Sequence, residues 1–286
     1  MICGNILNSK LFLKNFITRT FTGIIFVAAI VSAICIHPYS FLALFALVVG
    51  LALWEFYGWG MEYKGWNELF GITGGIYLFT ATFLFAGGFV SGYIFYPYVL
   101  FLLIVLISSL YHTGSEPIIH CAMSFFAQFY CAGLLSTMNF IIFDPVTKLY
   151  FPYYALLIFI FVWLNDTGAY LTGITFGKHR LFQRISPKKS WEGFLGGLTI
   201  TALSSQIIAY YFPQIINWYH SLAIAIVVVI FATYGDLVES LLKRSSKVKD
   251  SGILLPGHGG ILDRFDSAIL VSPAVFLYIE IFIRHS

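Results

Sequence analysis

The sequence predicts an all-α, polytopic integral membrane protein of about nine transmembrane helices with a cytoplasmic N-terminus. Composition is the first reason: 59% of the 286 residues are hydrophobic and only 10% are charged, with a mean hydropathy of +0.86. Such a chain is neither a soluble globular domain nor a disordered one. The second reason is an aromatic content of 19%, which suits rings seated at headgroup level. The third is a series of apolar runs whose connections alternate between basic and nearly uncharged.

A hydrocarbon core of about 30 Å takes about 20 apolar residues per crossing. Runs of that kind lie at 20–36, 39–56, 69–90, 93–111, 121–143, 151–173, 193–213, 221–239 and 267–283. The first run follows Lys10, Lys14 and Arg19, the layout of a signal peptide. No small-residue cleavage site follows it, and Pro38 suits a turn into the next helix, so an uncleaved first helix is expected. Gly71, Gly74 and Gly75 read as close helix packing. Gly193 and Gly197 have GxxxG spacing, read as packing within the chain, with a dimer contact as the alternative. Cys3, Cys35, Cys121 and Cys131 show no metal or disulfide spacing and read as apolar filler.

With the N-terminus inside, alternation assigns all of the sixteen Lys and Arg residues except Lys148 and Arg284 to the cytoplasmic side. Inverting the chain would break this pattern. The expectation is one membrane domain over 1–286, with helices in 19–160 as scaffold and 161–286 carrying the chemistry. The long polar segments are 174–192 and 240–266.

Asp166 sits in VWLNDTGAY within the sixth run, and Asp236 and Glu239 lie in ATYGDLVES at the end of the eighth. An acid at a helix centre costs up to about 3 kcal/mol, so these belong in a polar interior or near an interface. The sixth and eighth helices reach them late, on the inward course, and the ninth starts on that side near Asp263 and Asp266. A wet cavity open to the cytoplasm follows. Asp236 and Ser240 are four apart, and Asp263 and Asp266 three apart, so each pair shares a face if helical. Hard oxygen ligands with substrate phosphates suit Mg²⁺. On spacing alone, pairing with Arg264, Lys243 and Arg244 at the interface serves the acids equally well.

The polar segments shift that balance. Lys188 and Lys189 stand beside Ser186 and Ser190 ahead of Trp191 and Glu192, and Lys243, Arg244, Lys247 and Lys249 precede Pro256-Gly257-His258-Gly259-Gly260. Cationic loops also hold anionic headgroups. A Gly-rich turn flanked by lysines and followed by paired carboxylates is better explained by a metal-bound polyphosphate. His258 is assigned to phosphate contact. His37, His112, His120, His179, His220 and His285 have no such setting.

From Ser240 to Asp266 the chain reads SLLKRSSKVKDSGILLPGHGGILDRFD. This run resembles the signature of phosphatidate cytidylyltransferases, or CDP-diglyceride synthetases. A second block, NDTGAYLTGITFGKHRLFQRISPKKSWEG from Asn165 to Gly193, resembles the same family, with Ser190 where many members have Thr. The resemblance implies transfer of a cytidylyl group from CTP to phosphatidic acid, with Mg²⁺ required and K⁺ as a candidate second cation. It also implies a homodimer in the cell inner (cytoplasmic) membrane, with the bilayer and no nucleic acid as partner. Asp236, Ser240 and Asp263 would be metal-site residues, with Asp166 and Asp266 as further candidates. Asp236, Asp263, Lys188 and Lys189 would be catalytic, and Lys243, Arg244, Lys249, His258, Gly259, Gly260 and Arg264 would bind the nucleotide. Rival readings are a CTP-dependent polyprenol kinase, an ion-coupled transporter and a structural lipid-binding protein.

Overall fold

The computed structural model describes residues 20, 22–59, 66–111, 117–249, 251–252 and 259–284. Helix α1 (Thr22–Ile36) leads through a single residue into α2 (Pro38–Tyr57). His37 caps α2: its Nδ1 accepts from the Tyr39 amide at 3.2 Å, and its own amide donates to Ser40 Oγ at 3.1 Å. Pro38 gives up no bond there, because its missing N–H falls among the donors a helix start leaves unpaired.

The next elements are α3 (Trp66–Ala86), α4 (Tyr96–Ser108) with 3₁₀ turns extending the span to Gly92–Tyr111, and α5 over Pro117–Ile141. A π-helical stretch, Gln128–Gly133, interrupts α5. There Gln128 Nε2 donates to Tyr57 Oη at 3.0 Å and to the Gly71 carbonyl at 2.7 Å. α6 (Tyr153–Phe176) is followed by a two-stranded antiparallel hairpin, β1 (Arg180–Phe182) and β2 (Ser186–Ser190). α7 (Trp191–Tyr211), α8 (Trp218–Ser245) and α9 (Leu262–Phe282) complete the described bundle. Among the described residues, eight helical segments are long and apolar enough to cross a membrane, and Thr22–Ile36 is a shorter apolar helix.

The all-α expectation holds for the bundle, and among the described residues the nine apolar runs correspond to nine helical segments. Three details differ from the sequence reading. The segment 174–192 contains the hairpin. α8 runs to Ser245, so Lys243 and Arg244 stand on a helix rather than in a loop. α9 starts at Leu262, so Asp263 and Asp266 lie in its first turns. At 1.5 Å per residue, the 28 residues of α8 extend about 42 Å, well beyond a hydrocarbon core of about 30 Å. Its last turns therefore carry charge without placing it in lipid.

Two apolar cores hold the bundle. One gathers Ile34 of α1, Phe41 and Phe45 of α2, Phe79 of α3, Leu135 of α5 and Phe265 of α9. The other joins Phe161 of α6, Val228 of α8 and Val275 of α9. α6 and α9 contribute to both. Gly193 and Gly197 are buried against α6, where a Cβ on Gly193 would meet Gly173 Cα at 3.4 Å and one on Gly197 the Asn165 carbonyl at 2.9 Å. That close approach is packing within the chain. At the opposite end from the hairpin, Arg284 donates to the carbonyls of Phe140 and Phe143 at 2.8 and 2.9 Å. It shares that end with the α5–α6 connection that carries Lys148.

Candidate functional site

The site is assembled where the hairpin, α8 and the start of α9 meet. On α8, the helical repeat puts Asp236, Glu239, Ser240 and Lys243 on one side. α9 crosses closely here, because a Cβ on Gly235 would meet the Asp266 carbonyl at 2.6 Å. The crossing brings Asp266 to Asp236 and Glu239, with one carboxylate oxygen from each lying within 4.8 Å of the others. Glu239 is 1% exposed, and its Oε1 has no hydrogen-bond partner. A buried, unsatisfied carboxylate oxygen beside two further acids is costly unless a cation completes it. The oxygen-only donor set fits a hard divalent ion such as Mg²⁺.

Lysines answer part of that charge. Lys189, at the end of β2, reaches Asp236 Oδ2 at 2.7 Å and donates to the Thr233 carbonyl at 3.2 Å. Ser240 Oγ donates to Asp236 Oδ1 at 3.1 Å. Lys243 bridges Glu239 Oε2 at 2.7 Å and Asp263 Oδ1 at 2.5 Å. The other Asp263 oxygen, Oδ2, accepts from the amides of Ser251 and Gly260, both at 3.0 Å. Gly259 adopts φ +85°, a conformation glycine tolerates, and a Cβ there would press on Asp263 Oδ2.

Two cavities adjoin this cluster. The larger, about 320 Å³, lies between α6, the hairpin, α7 and α8, and is lined by Asp166, Tyr170, Lys188, Lys189 and Asp236 among others. The second, about 230 Å³, lies between α1, α6 and α9, and its lining includes Phe26, Trp163, Asp166, Asp263, Arg264 and Asp266. Asp166 faces both. Each cavity therefore has a carboxylate wall, at least one cation and an apolar side.

Among the sequence-predicted residues, the structure brings together Asp166, Asp236, Ser240, Asp263, Asp266, Lys188, Lys189, Lys243, Arg264 and Gly260. Arg244 and Lys249 are exposed and line neither cavity. His258 lies outside the described residues. The closest carboxylate group contains Glu239, which sequence reasoning flagged as an expensive acid but gave no ligand role. Asp263 instead receives Lys243 and two backbone amides. Glu55 was missed entirely. It is 4% exposed and accepts from the amides of Ile261 and Leu262, both at 2.8 Å, and from Ser251 Oγ at 3.0 Å. Its signal was the one used for Asp166, an acid in an apolar run.

The hairpin is anchored to the same end. Ser190 caps α7, accepting from the Gly193 amide at 3.1 Å. Glu192 accepts from the amides of Lys178 and His179 at 3.1 and 3.2 Å and meets His179 Nδ1 at 2.6 Å. These bonds fix the strand that carries Lys188 and Lys189.

An apolar helical bundle with clustered acids, bridging lysines and two carboxylate-walled cavities at one end defines a class: a polytopic membrane protein with a charged site beside its cavities. The particular family follows from comparison. A family model described as the cytidylyltransferase family matches residues 17–282, and the chain belongs to that family. It is 49% identical over 121 residues to the phosphatidate cytidylyltransferases of Staphylococcus haemolyticus (strain JCSC1435) and Staphylococcus aureus (strain COL). Over 120 residues it is 49% identical to the protein of the same name from Staphylococcus epidermidis (strain ATCC 12228). Each match covers 42% of this chain and 46% of the relative, so the chain spans about half the length of the curated relatives it matches.

Proposed function

We propose that this chain transfers the cytidylyl group of CTP to phosphatidic acid, forming CDP-diacylglycerol and pyrophosphate. One observation carries this reading. Lys189 belongs to one signature block and Asp236 stands just ahead of the other, 47 residues along the chain, yet they meet at 2.7 Å beside a cavity. Family membership and the printed names of the relatives support the same activity.

In the reaction, an oxygen of the lipid phosphate bonds to the α-phosphorus of CTP as the bond from that phosphorus to the bridging oxygen breaks. Pyrophosphate leaves with those electrons. The nucleophile is already ionised at neutral pH, so the site needs no activated serine or cysteine, and positioning and charge neutralisation carry the catalysis. Lys188 and Lys189 bind the triphosphate at the mouth of the larger cavity. Arg264, on the wall of the second, orients the lipid phosphate. Asp236, Glu239 and Asp266, with Asp166 and Asp263 alongside, would hold Mg²⁺, which when bound neutralises charge on the phosphates. Ser240 fixes the Asp236 carboxylate. Lys243 holds Glu239 and Asp263 in place between those groups.

The positive-inside pattern supports a multi-pass protein of the inner membrane with this end at the cytoplasm. CTP then enters from water and the lipid from the adjoining leaflet. The test mixes purified protein in detergent with α-labelled CTP, phosphatidic acid and Mg²⁺, with and without K⁺. Label in the organic phase with matching pyrophosphate, dependent on phosphatidic acid, is the expected result. Label-free lipid from folded protein overturns the proposal, and CDP released with a polyprenol acceptor replaces it with a kinase.

A further inference from the structure

We propose that Glu55, on α2, is a positioning residue for the reaction: it clamps the start of α9 and the Ser251 segment so that Asp263 faces Lys243 and the site. The inference rests on the proposed function and goes beyond it, because no signature block includes the second helix. An acid buried this deeply is retained only where donors compensate it. Glu55 has three. Its two oxygens take the Ile261 and Leu262 amides, donors that a helix start leaves unpaired, and its charge suits the positive end of α9.

The third donor carries the argument to the site. Ser251 Oγ donates to Glu55 at 3.0 Å and accepts from the Asp263 amide at 3.2 Å, while the Ser251 amide binds Asp263 Oδ2 at 3.0 Å. Trp59, just past the end of α2, donates from Nε1 to the Ser251 carbonyl at 2.9 Å. Asp263 is thus fixed through the amide of its predecessor, its own amide and one carboxylate oxygen. The surrounding glycines are shaped to the clamp. A Cβ on Gly252 would meet Glu55 Oε1 at 2.5 Å, and one on Gly260 would collide with Ser251 Oγ and Glu55 Oε2. A helix cap alone needs only a serine or asparagine. A carboxylate from another helix, bridging two backbone donors and a hydroxyl, ties the scaffold to the reacting end.

Glu55→Gln keeps the volume but replaces one acceptor oxygen with an NH₂ that faces a donor. The expected result, on folded, monodisperse protein, is a kcat lowered on the order of 10–100-fold with KM for both substrates within about threefold, since small misplacements of a reacting group cost that much. Hydrogen exchange at residues 261–263, read without turnover, should rise at the same time. Ser251→Ala leaves the two backbone bonds to Glu55 and the Ser251 amide bond to Asp263 Oδ2 but removes the hydroxyl that joins Glu55 to the Asp263 amide, so it should reproduce the kcat loss, and it decides the matter if Glu55→Gln does not fold. A variant that keeps wild-type kcat overturns the proposal whatever its stability, and so does a kcat loss with unchanged exchange. If the wild type itself transfers no label, the proposed function fails, and the exchange comparison alone still decides whether Glu55 holds α9.

Discussion

Lys243→Met isolates the electrostatics of the site from its chemistry. The ammonium lies between Glu239 and Asp263 at 2.7 and 2.5 Å, and its side chain is 13% exposed. Glu239 has no exposure to fall back on. Removing one partner of a buried ion pair leaves an uncompensated charge and costs about 3–5 kcal/mol, whereas removing both often costs little. Lys243→Met should therefore lower the unfolding temperature in detergent on the order of 10 °C, taking about 2–4 °C per kcal/mol for a protein of this size class. The double variant Glu239→Gln/Lys243→Met should recover about half of that loss, because Asp263 still keeps its two backbone amides. The assay is thermal unfolding of the purified variants without Mg²⁺, with the coupling taken from the full double-mutant cycle. A single variant within about 1 kcal/mol of wild type, or a double variant no better than the single, would refute the view that Lys243 compensates a buried acid.

Other changes probe the site more directly. Asp263→Asn should leave expression and membrane insertion intact and remove most turnover; near-normal transfer at saturating Mg²⁺ would take Asp263 out of the reaction. Gly260→Ala should cost both stability and activity, because its Cβ would occupy the space of Ser251 Oγ and Glu55 Oε2, and a folded, fully active variant would contradict the tightness of that turn. Asp144, in the connection before α6, accepts from the Val146 and Thr147 amides at 3.0 and 2.7 Å and from Thr147 Oγ1 at 2.9 Å. The Thr147 bonds hold its carboxyl below the usual carboxylate range. A lowered folded value means the stabilisation is present above the unfolded pKa and is lost as pH falls through the folded one. Asp144→Ala should accordingly cost under about 1 kcal/mol at pH 7, given its exposure, and the gap to wild type should close in acid; a gap that persists at pH 2 would assign the effect to packing.

The bundle was legible because membrane crossings depend on little more than the length of an apolar run. The site was legible where an ionisable residue interrupted such a run, as at Asp166 and Asp236, or where a dense motif surrounded it. What the sequence concealed depends on tertiary crossing. The hairpin of residues 180–190 has too few alternating apolar residues to announce two strands, and its position is set by Glu192 and Ser190 at the start of α7. Asp266 joins Asp236 and Glu239 only because Gly235 lets α9 approach α8. Glu55 is separated from Ser251 by 196 residues and from Ile261 by 206, so no local pattern connects them.

Charge in the membrane-facing body is tolerated here because it is gathered at one end and divided among specific partners. Asp236 is served by a hairpin lysine, Glu239 and Asp263 by a helix lysine, and Glu55 by the amides of a helix start, while one oxygen of Glu239 remains unpaired. Those arrangements differ in consequence. The Glu55 group is fully satisfied by protein, which marks it as a fixed joint between the early helices and α9. The Asp236, Glu239 and Asp266 group is not, and an incompletely satisfied cluster opening toward two cavities is the part of the molecule whose stability should respond to an added cation. A divalent ion binding only the folded protein raises the unfolding temperature with concentration. The expected stabilisation by Mg²⁺ in wild type should disappear in Glu239→Gln and persist in Asp144→Ala, whereas equal Mg²⁺ stabilisation in both variants would detach the ion from these acids.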